Sequence, residues 1–362
     1  MTMHAIPTDS LRSWVRDLFL SMGSHMNEAT LAADHLVGAN LSGHDSHGVA
    51  MLETYVESLQ AGFLKLNRSI ELVCDSGALV IADGGMGVGQ SMAHQAMCVG
   101  IERAKTHGIA LLGLRNSHHM GRIGHWAEQG MAAGLVSMHF TNAMASAPVV
   151  APHGGIDARF VTNPLTIGIP RRDGESVLLD FATSAIAHGK ARVAMNAGRA
   201  VPAGSVIDAC GNGSTDPRVL FDEPVGALRT FAEHKGHALA IVCELLGAAL
   251  TGGESGRDVN LPKTPGIVNN MLVILFDPER LGTAESFERE ASGFVEWVRS
   301  ARLDDVGEAL GGILMPGEPE RRCREARATH IPIDSGTLES LRLAGRAVAQ
   351  ACGRVVEDPG SL

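Results

Sequence analysis

The sequence predicts an α/β protein with a separate helical N-terminus, and three observations carry that prediction. Residues 109–140 read as a strand, a polar turn, a helix and a second strand. Strand-like apolar runs at 165–169, 176–181 and 271–276 alternate with helix-period segments. The first 65 or so residues hold helical periodicity alone. A chain of 362 residues, 45% hydrophobic, exceeds one average domain and can bury a sizeable core.

Taken in order, residues 9–22 form an amphipathic helix, with Leu11, Trp14, Val15, Leu18, Phe19 and Met22 at helical spacing and Asp9 placed to cap it. A second helix starts near Asn27. A third carries Val49, Leu52, Val56 and Leu59 and ends at Gly62. The polar run Gly43-His44-Asp45-Ser46-His47-Gly48 separates these two helices. Strands at 70–74 and 78–82 flank an Asp75-Ser76-Gly77 turn, a hairpin signal. A glycine run, 84–89, leads into a helix at 91–107. The 109–114 strand then meets a turn from Arg115 to Gly121. A helix with Ile123, Trp126, Ala127, Gly130 and Met131 on one face follows, then a strand at 135–140. A long apolar helix is expected at 236–250, and further helices at 284–301 and 337–352. Segments 208–230 and 252–266 read as irregular loops.

Composition excludes several function classes. The net charge is −10 and no basic run is interleaved with aromatics, which argues against a nucleic-acid or anionic-membrane surface. The apolar run 238–250 is broken by Glu244 and is too short to span a bilayer. The N-terminus lacks the basic and apolar regions of a secretory signal. Six cysteines without a C-x-x-C pair read as thiols in a reducing compartment, so a cytoplasmic location is expected.

Four sets of residues carry candidate chemistry. Gly85, Gly87 and Gly89 precede a helix, but their G-x-G-x-G spacing fails the dinucleotide fingerprint and position 90 is Gln; the glycines read as bending a strand into a helix. His118, His119 and His125 cluster without a metal-binding pattern such as H-E-x-x-H, so no metal is expected. His47 and His119 sit in polar, glycine-flanked turns, and an imidazole near neutrality suits proton transfer. The run Leu179-Asp180-Phe181-Ala182-Thr183-Ser184 ends a strand and suits either a loop approaching a dinucleotide or a helix capped by Thr183 or Ser184. His234-Lys235-Gly236 opens the apolar helix; a lysine there is electrostatically misplaced unless an anion binds, though a surface lysine is the plainer reading.

Together these motifs resemble the malate/L-lactate dehydrogenase family that lacks a Rossmann fold. The matching residues are Ser46-His47-Gly48 with Tyr55, Arg115 through Gly121, Thr162-Asn163-Pro164, Leu179 through Ser184, Gly189-Lys190, Thr215-Asp216-Pro217, His234-Lys235-Gly236 and Pro316-Gly317-Glu318. They follow family order over about three-quarters of the chain. The resemblance implies an α+β fold with a mixed, largely antiparallel sheet flanked by helices. It also implies a helical domain of residues 1–76 joined by 321–362, and a cofactor- and substrate-binding domain of residues 77–320. It implies hydride transfer between NAD or NADP and a small 2-hydroxy or 2-oxo acid, or reduction of a cyclic imino acid, and a homodimer. By residue, it implies His119 and His47 as catalytic groups and Ser46, Tyr55 and Arg115 at the substrate. Asp180, Phe181, Ala182, Thr183, Ser184, His234, Lys235, Pro316, Gly317 and Glu318 are implied cofactor contacts.

One departure bears on the substrate. Family members carry an arginine for the substrate carboxylate where this chain has Met51, and a thioether cannot form the bidentate guanidinium contact. Arg115, Arg122 and Lys190 are the candidate replacements; otherwise the substrate lacks a carboxylate there, or the chain binds dinucleotide with an altered substrate.

Overall fold

The computed structural model describes residues 2–196, 198–353 and 358–361. Its elements run β1 (Met3–Pro7), α1 (Thr8–Met22), α2 (Met26–Leu41), α3 (Leu52–Gln60), β2 (Glu71–Ser76), β3 (Leu79–Asp83), α4 (Gly89–His107), β4 (Ile109–His118), α5 (Gly124–Ala132) and β5 (Val136–Met144). They continue with β6 (Leu165–Ile169), β7 (Val177–Phe181), α6 (His188–Asn196), β8 (Val206–Ile207), β9 (Gly213–Ser214), β10 (Ala227–Leu228), α7 (His234–Val242) and β11 (Val268–Phe276). The last are α8 (Ala284–Arg299), α9 (Asp305–Leu310), α10 (Glu318–Ala326), β12 (His330–Asp334) and α11 (Ser335–Cys352).

Seven strands form the main sheet in the order β2-β3-β4-β11-β5-β6-β7. Every pairing is antiparallel except β3 with β4, which α4 connects as a crossover. A mixed, largely antiparallel sheet flanked by helices is thus observed, without Rossmann topology. The near-continuous apolar run of β11 suits a strand covered on both faces, and it lies at the centre. Strand β2 is exposed along its whole length and carries Glu71 and Asp75 at the sheet edge, where charge discourages further pairing.

A second apolar cluster gathers Leu11, Leu18, Phe19, Leu36, Leu52 and Tyr55 with Ile331, Ile333, Leu338, Leu341 and Val348. It therefore draws on both ends of the chain. Helix α11 contributes its 338, 341, 344, 348 face, as its periodicity predicts; each buried Leu or Val adds about 1.5–3 kcal/mol. Strands β1 and β12 pair antiparallel from Met3↔Asp334 to Pro7↔His330 and tie the two ends together.

Several expectations are corrected. Asp9 does not cap α1: Pro7 occupies that position, and Asp9 lies in the first turn, where its charge favours the helix dipole. The polar segment after Leu114 is strand, not turn, through His118. One extra residue on β4 is accommodated between Leu114 and Ser117, with Asn116 at φ 53°. Asn116 tolerates that conformation while donating to Asp83 at 2.8 Å, and its N–H is taken by Asn270 Oδ1 at 2.8 Å. The apolar helix at 236–250 is interrupted: α7 gives way to a π-helical turn over Cys243–Ala248 that turns Glu244 inward onto Asn142, Asn163 and the Gly256 N–H. Thr183 and Ser184 cap no helix, since α6 begins at His188. Segment 208–230 holds β9 and β10 and a 3₁₀ turn at Pro217–Leu220.

The glycine run does what its failed fingerprint suggests. Gly84 N–H and Met86 N–H donate to Arg115 and Asn116 carbonyls, and Gly87 accepts from His118 N–H. A Cβ at Gly89 would lie 2.1 Å from the His119 carbonyl oxygen, so only glycine lets α4 start against that backbone. The run braces the end of β4.

Candidate functional site

His119 follows the bulged end of β4. Asn269 on β11 fixes the backbone just beyond it by accepting Met120 N–H at 2.9 Å. Tyr55, from α3, is fully buried with its hydroxyl 2.8 Å from His119 Nδ1 and 3.2 Å from the His119 carbonyl. Gln90, on the first turn of α4, donates to the same hydroxyl at 2.8 Å. His47 stacks on His119 with ring centroids 5.7 Å apart and planes 26° apart. Ser46 Oγ lies 3.1 Å from His47 Nδ1. Among the described residues neither ring's Nε2 has a hydrogen-bond partner.

Burial sets the charge of this cluster. It drives His47 down to about 4, with His44 and Arg122 adding to the effect and Asp180 opposing it. Burial, reinforced by His47 and His118, holds His119 well below the ordinary imidazole range. Both rings are neutral at physiological pH. His118 turns the other way, its Nε2 2.9 Å from Ser58 Oγ, and burial takes it down to about 3.

Asp180 lies on β7, close enough for its charge to act on His47. Its carboxylate accepts from Thr166 Oγ1 at 2.8 Å and Gly124 N–H at 3.1 Å, and pairs with buried Arg122 at 3.4 Å. Arg122 also pairs with Glu128, which Arg324 holds from the other side. The two guanidinium groups keep Glu128 below the usual carboxylate range against its burial. His35 of α2 completes this wall: its Nε2 accepts Arg122 N–H at 2.9 Å, and its ring meets those of His125 and Trp126.

The segments expected at a cofactor divide along β7: Phe181 to Ser184 meet the start of α7 at its C-terminal end, and Pro316 to Glu318 lie beside its first residues. Phe181 packs edge-on against Phe231 at 5.2 Å. Ala182 is half-buried beside it; Thr183 accepts Phe231 N–H at 3.0 Å, and Ser184 bridges Thr230. His234 and Lys235 stand exposed on the first turn of α7. Pro316 accepts Leu178 N–H at 3.1 Å, which sets Pro316-Gly317-Glu318 along β7. Glu318 itself is occupied by Arg299, Arg322 and Met315 N–H.

The candidate cations differ in availability. Arg115 is bound to Asp83 at 2.8 Å and faces the Gly252 carbonyl, and Arg122 is doubly paired. Lys190 is exposed and unpaired among the described residues; its neighbour Gly189 is close enough to Ser46 that a Cβ there would lie 2.5 Å from Ser46 Cβ. Met51 is half-buried against the two-ended apolar cluster. Among the described residues no three His, Cys, Asp or Glu side chains gather as metal ligands, and no helix is long and apolar enough to cross a membrane. Sequence reasoning did not find Gln90 or His35. Gln90 entered only as the residue that spoils a glycine fingerprint; a polar side chain on the buried first turn of a helix was the available signal.

The sequence itself aligns with one family along almost its whole length, residues 6–342 matching the profile of malate/L-lactate dehydrogenase. The chain belongs to this family. It is thereby an enzyme of an oxidoreductase family whose relatives are named dehydrogenases or reductases. Hydroxycarboxylate dehydrogenase B of Escherichia coli is 46% identical over 347 residues, covering 95% of this chain and 94% of that protein. The delta(1)-pyrroline-2-carboxylate/delta(1)-piperideine-2-carboxylate reductase of Pseudomonas syringae pv. tomato is 33% identical, covering 91% and 94%. Sulfolactate dehydrogenase from Methanocaldococcus jannaschii superposes with a TM-score of 0.85 at 27% identity, over 98% of this chain and 99% of that one.

Proposed function

We propose that this protein moves a hydride between NAD or NADP and a small 2-hydroxy or 2-oxo acid, with His119 as general acid/base and His47 alongside it. The observation that carries the reading is the stacked pair: each ring is anchored at Nδ1, His119 by Tyr55 and His47 by Ser46, with Nε2 unbonded. A neutral imidazole so held takes a hydroxyl proton in the oxidative direction and, once charged, returns it to a developing alkoxide. The Arg122–Asp180 pair links this cluster to β7.

The residues at the end of β7 fit a dinucleotide. Thr183 and Ser184 offer hydroxyls, His234 offers a ring N–H and Lys235 an ammonium at a helix N-terminus, where phosphates bind well. Asp180, Phe181 and Ala182 lead into them along β7, and Pro316, Gly317 and Glu318 flank the start of the same strand beside Leu178. A nicotinamide cofactor bound there supplies or accepts the hydride. Two separate apolar clusters support a helical domain of residues 1–76 with 321–362 and an α/β domain of 77–320. The exposed apolar side chains of Ile241, Leu245 and Leu250 support a homodimer, and six unpaired cysteines support a reducing, cytoplasmic setting.

The test is a panel of 2-oxo acids and cyclic imino acids assayed with NADH and with NADPH, following loss of nicotinamide absorbance. Turnover of at least one 2-oxo acid is expected. Turnover confined to imino acids selects the cyclic imino acid reading, which the 33% identical reductase supports. Cofactor binding without any turnover marks a dinucleotide-binding paralogue. Met51→Arg is expected to raise kcat/KM for pyruvate or oxaloacetate about tenfold or more, the worth of one charge-assisted contact. No gain would leave the carboxylate to another cation; Lys190, unpaired among the described residues, follows Gly189, which meets Ser46.

A further inference from the structure

We infer that Tyr55 and Gln90 are positioning residues that hold His119 with its ring proton on Nδ1, leaving Nε2 as the bare nitrogen that meets substrate. The inference rests on His119 as the acid/base, and it follows from counting donors. A tyrosine hydroxyl has one proton to give and two lone pairs to offer. The Tyr55 hydroxyl has three neighbours within bonding distance: Gln90 Nε2, His119 Nδ1 and the His119 carbonyl oxygen. Gln90 Nε2 only donates and a carbonyl only accepts. All three contacts are satisfied together in one way: Gln90 and His119 Nδ1–H donate to the Tyr55 oxygen, and Tyr55 O–H donates to the His119 carbonyl. Turning the hydroxyl proton onto Nδ1 would leave two oxygens 3.2 Å apart with no hydrogen between them.

The site is fully buried at Tyr55 and Gln90, so water cannot repair a wrong arrangement. The tautomer matters because His119 is neutral at rest and has a single ring proton to place. The charged form keeps every one of these bonds when Nε2 gains the substrate's hydroxyl proton. Titratable groups around the ring are His47 from the 45–47 turn, His118 on its own strand, Tyr55 from α3 and His35 from α2, the last at longer range. None of the three histidines competes for Nδ1. Burial also pushes the Tyr55 phenol above its ordinary range, so it stays protonated and orients rather than shuttles.

Nitrogen-15 spectra of the ring-labelled protein test this, with the His119 signals assigned by their loss in His119→Gln. A protonated Nδ1 and a bare Nε2 near neutral pH are expected; the reverse overturns the inference without any variant. In Tyr55→Phe the Nδ1–H preference should vanish and kcat should fall about 10- to 100-fold, the worth of a hydrogen bond to a charged ring. KM and cofactor affinity should stay within about twofold. The limb of the kcat profile that reports His119 should move to lower pH, because the imidazolium loses its acceptor. Gln90→Leu should shift all three readouts the same way, by less. An unchanged tautomer and pH profile in Tyr55→Phe would refute the inference. Full turnover in His119→Ala would instead refute the acid/base reading, and the spectra would still report the tautomer.

Discussion

His119→Ala is expected to lower turnover by about 10²- to 10⁴-fold, the usual span for a positioned general acid/base, while affinity for the reduced cofactor stays nearly unchanged. The two effects separate because His119 follows β4, whereas the residues proposed to hold the dinucleotide lie along β7 and at the start of α7. The cavity left by the ring falls beside Tyr55 and His47, whose own anchors, Gln90 and Ser46, remain. Stopped-flow measurement of a single turnover, together with a fluorescence titration of reduced cofactor, would check both halves. Turnover within threefold or so of wild type would remove His119 from the proton step, and His47→Ala would then be the variant to make.

Acidification should unfold the protein early, before its carboxylates titrate. Burial holds His47 and His125 at about 4, His118 and His139 at about 3, and His35 and His119 well below the ordinary value. In the unfolded chain each returns to about 6.5. The unfolded state therefore binds more protons throughout the interval between those values, and stability rises with pH across it. The contribution is fully present above about 6.5 and is lost progressively as pH falls toward about 4. Several protons taken up together make the loss steep. Urea midpoints measured at intervals from neutrality downward should fall sharply well above the range where Glu128, held low by Arg122 and Arg324, begins to protonate. A flat profile to about pH 4.5 would mean these rings are solvated in the native state.

Much of this protein is legible in its sequence because the signals are local. Helical periodicity in α1 and α11, the strands at β6, β7 and β11, and the two histidines in polar, glycine-flanked runs all follow from neighbours in the chain. What sequence reading missed depends on register between distant segments. The strand character of residues 115–118 comes from pairing with β11, about 150 positions away, and from Asn270, whose side-chain oxygen accepts Asn116 N–H. The pairing of β1 with β12 carries too few residues to show a period. Tyr55 reads as a substrate contact by resemblance, yet its hydroxyl is spent on His119 and Gln90, a commitment that only the packing of α3 against β4 and α4 makes visible. The π-helical turn at Cys243–Ala248 is likewise invisible, since its residues are apolar in either geometry and only the buried Glu244 demands the change.

The meeting of β1 with β12 sets an order of events during synthesis. The apolar cluster that seats Tyr55 needs Ile331, Ile333 and the inner face of α11, so a ribosome that has released β4 but not residue 330 carries His119 with its phenolic anchor still unseated. The corner holding His47 and His119 is therefore among the last parts to set, long after the sheet has the residues it needs to form.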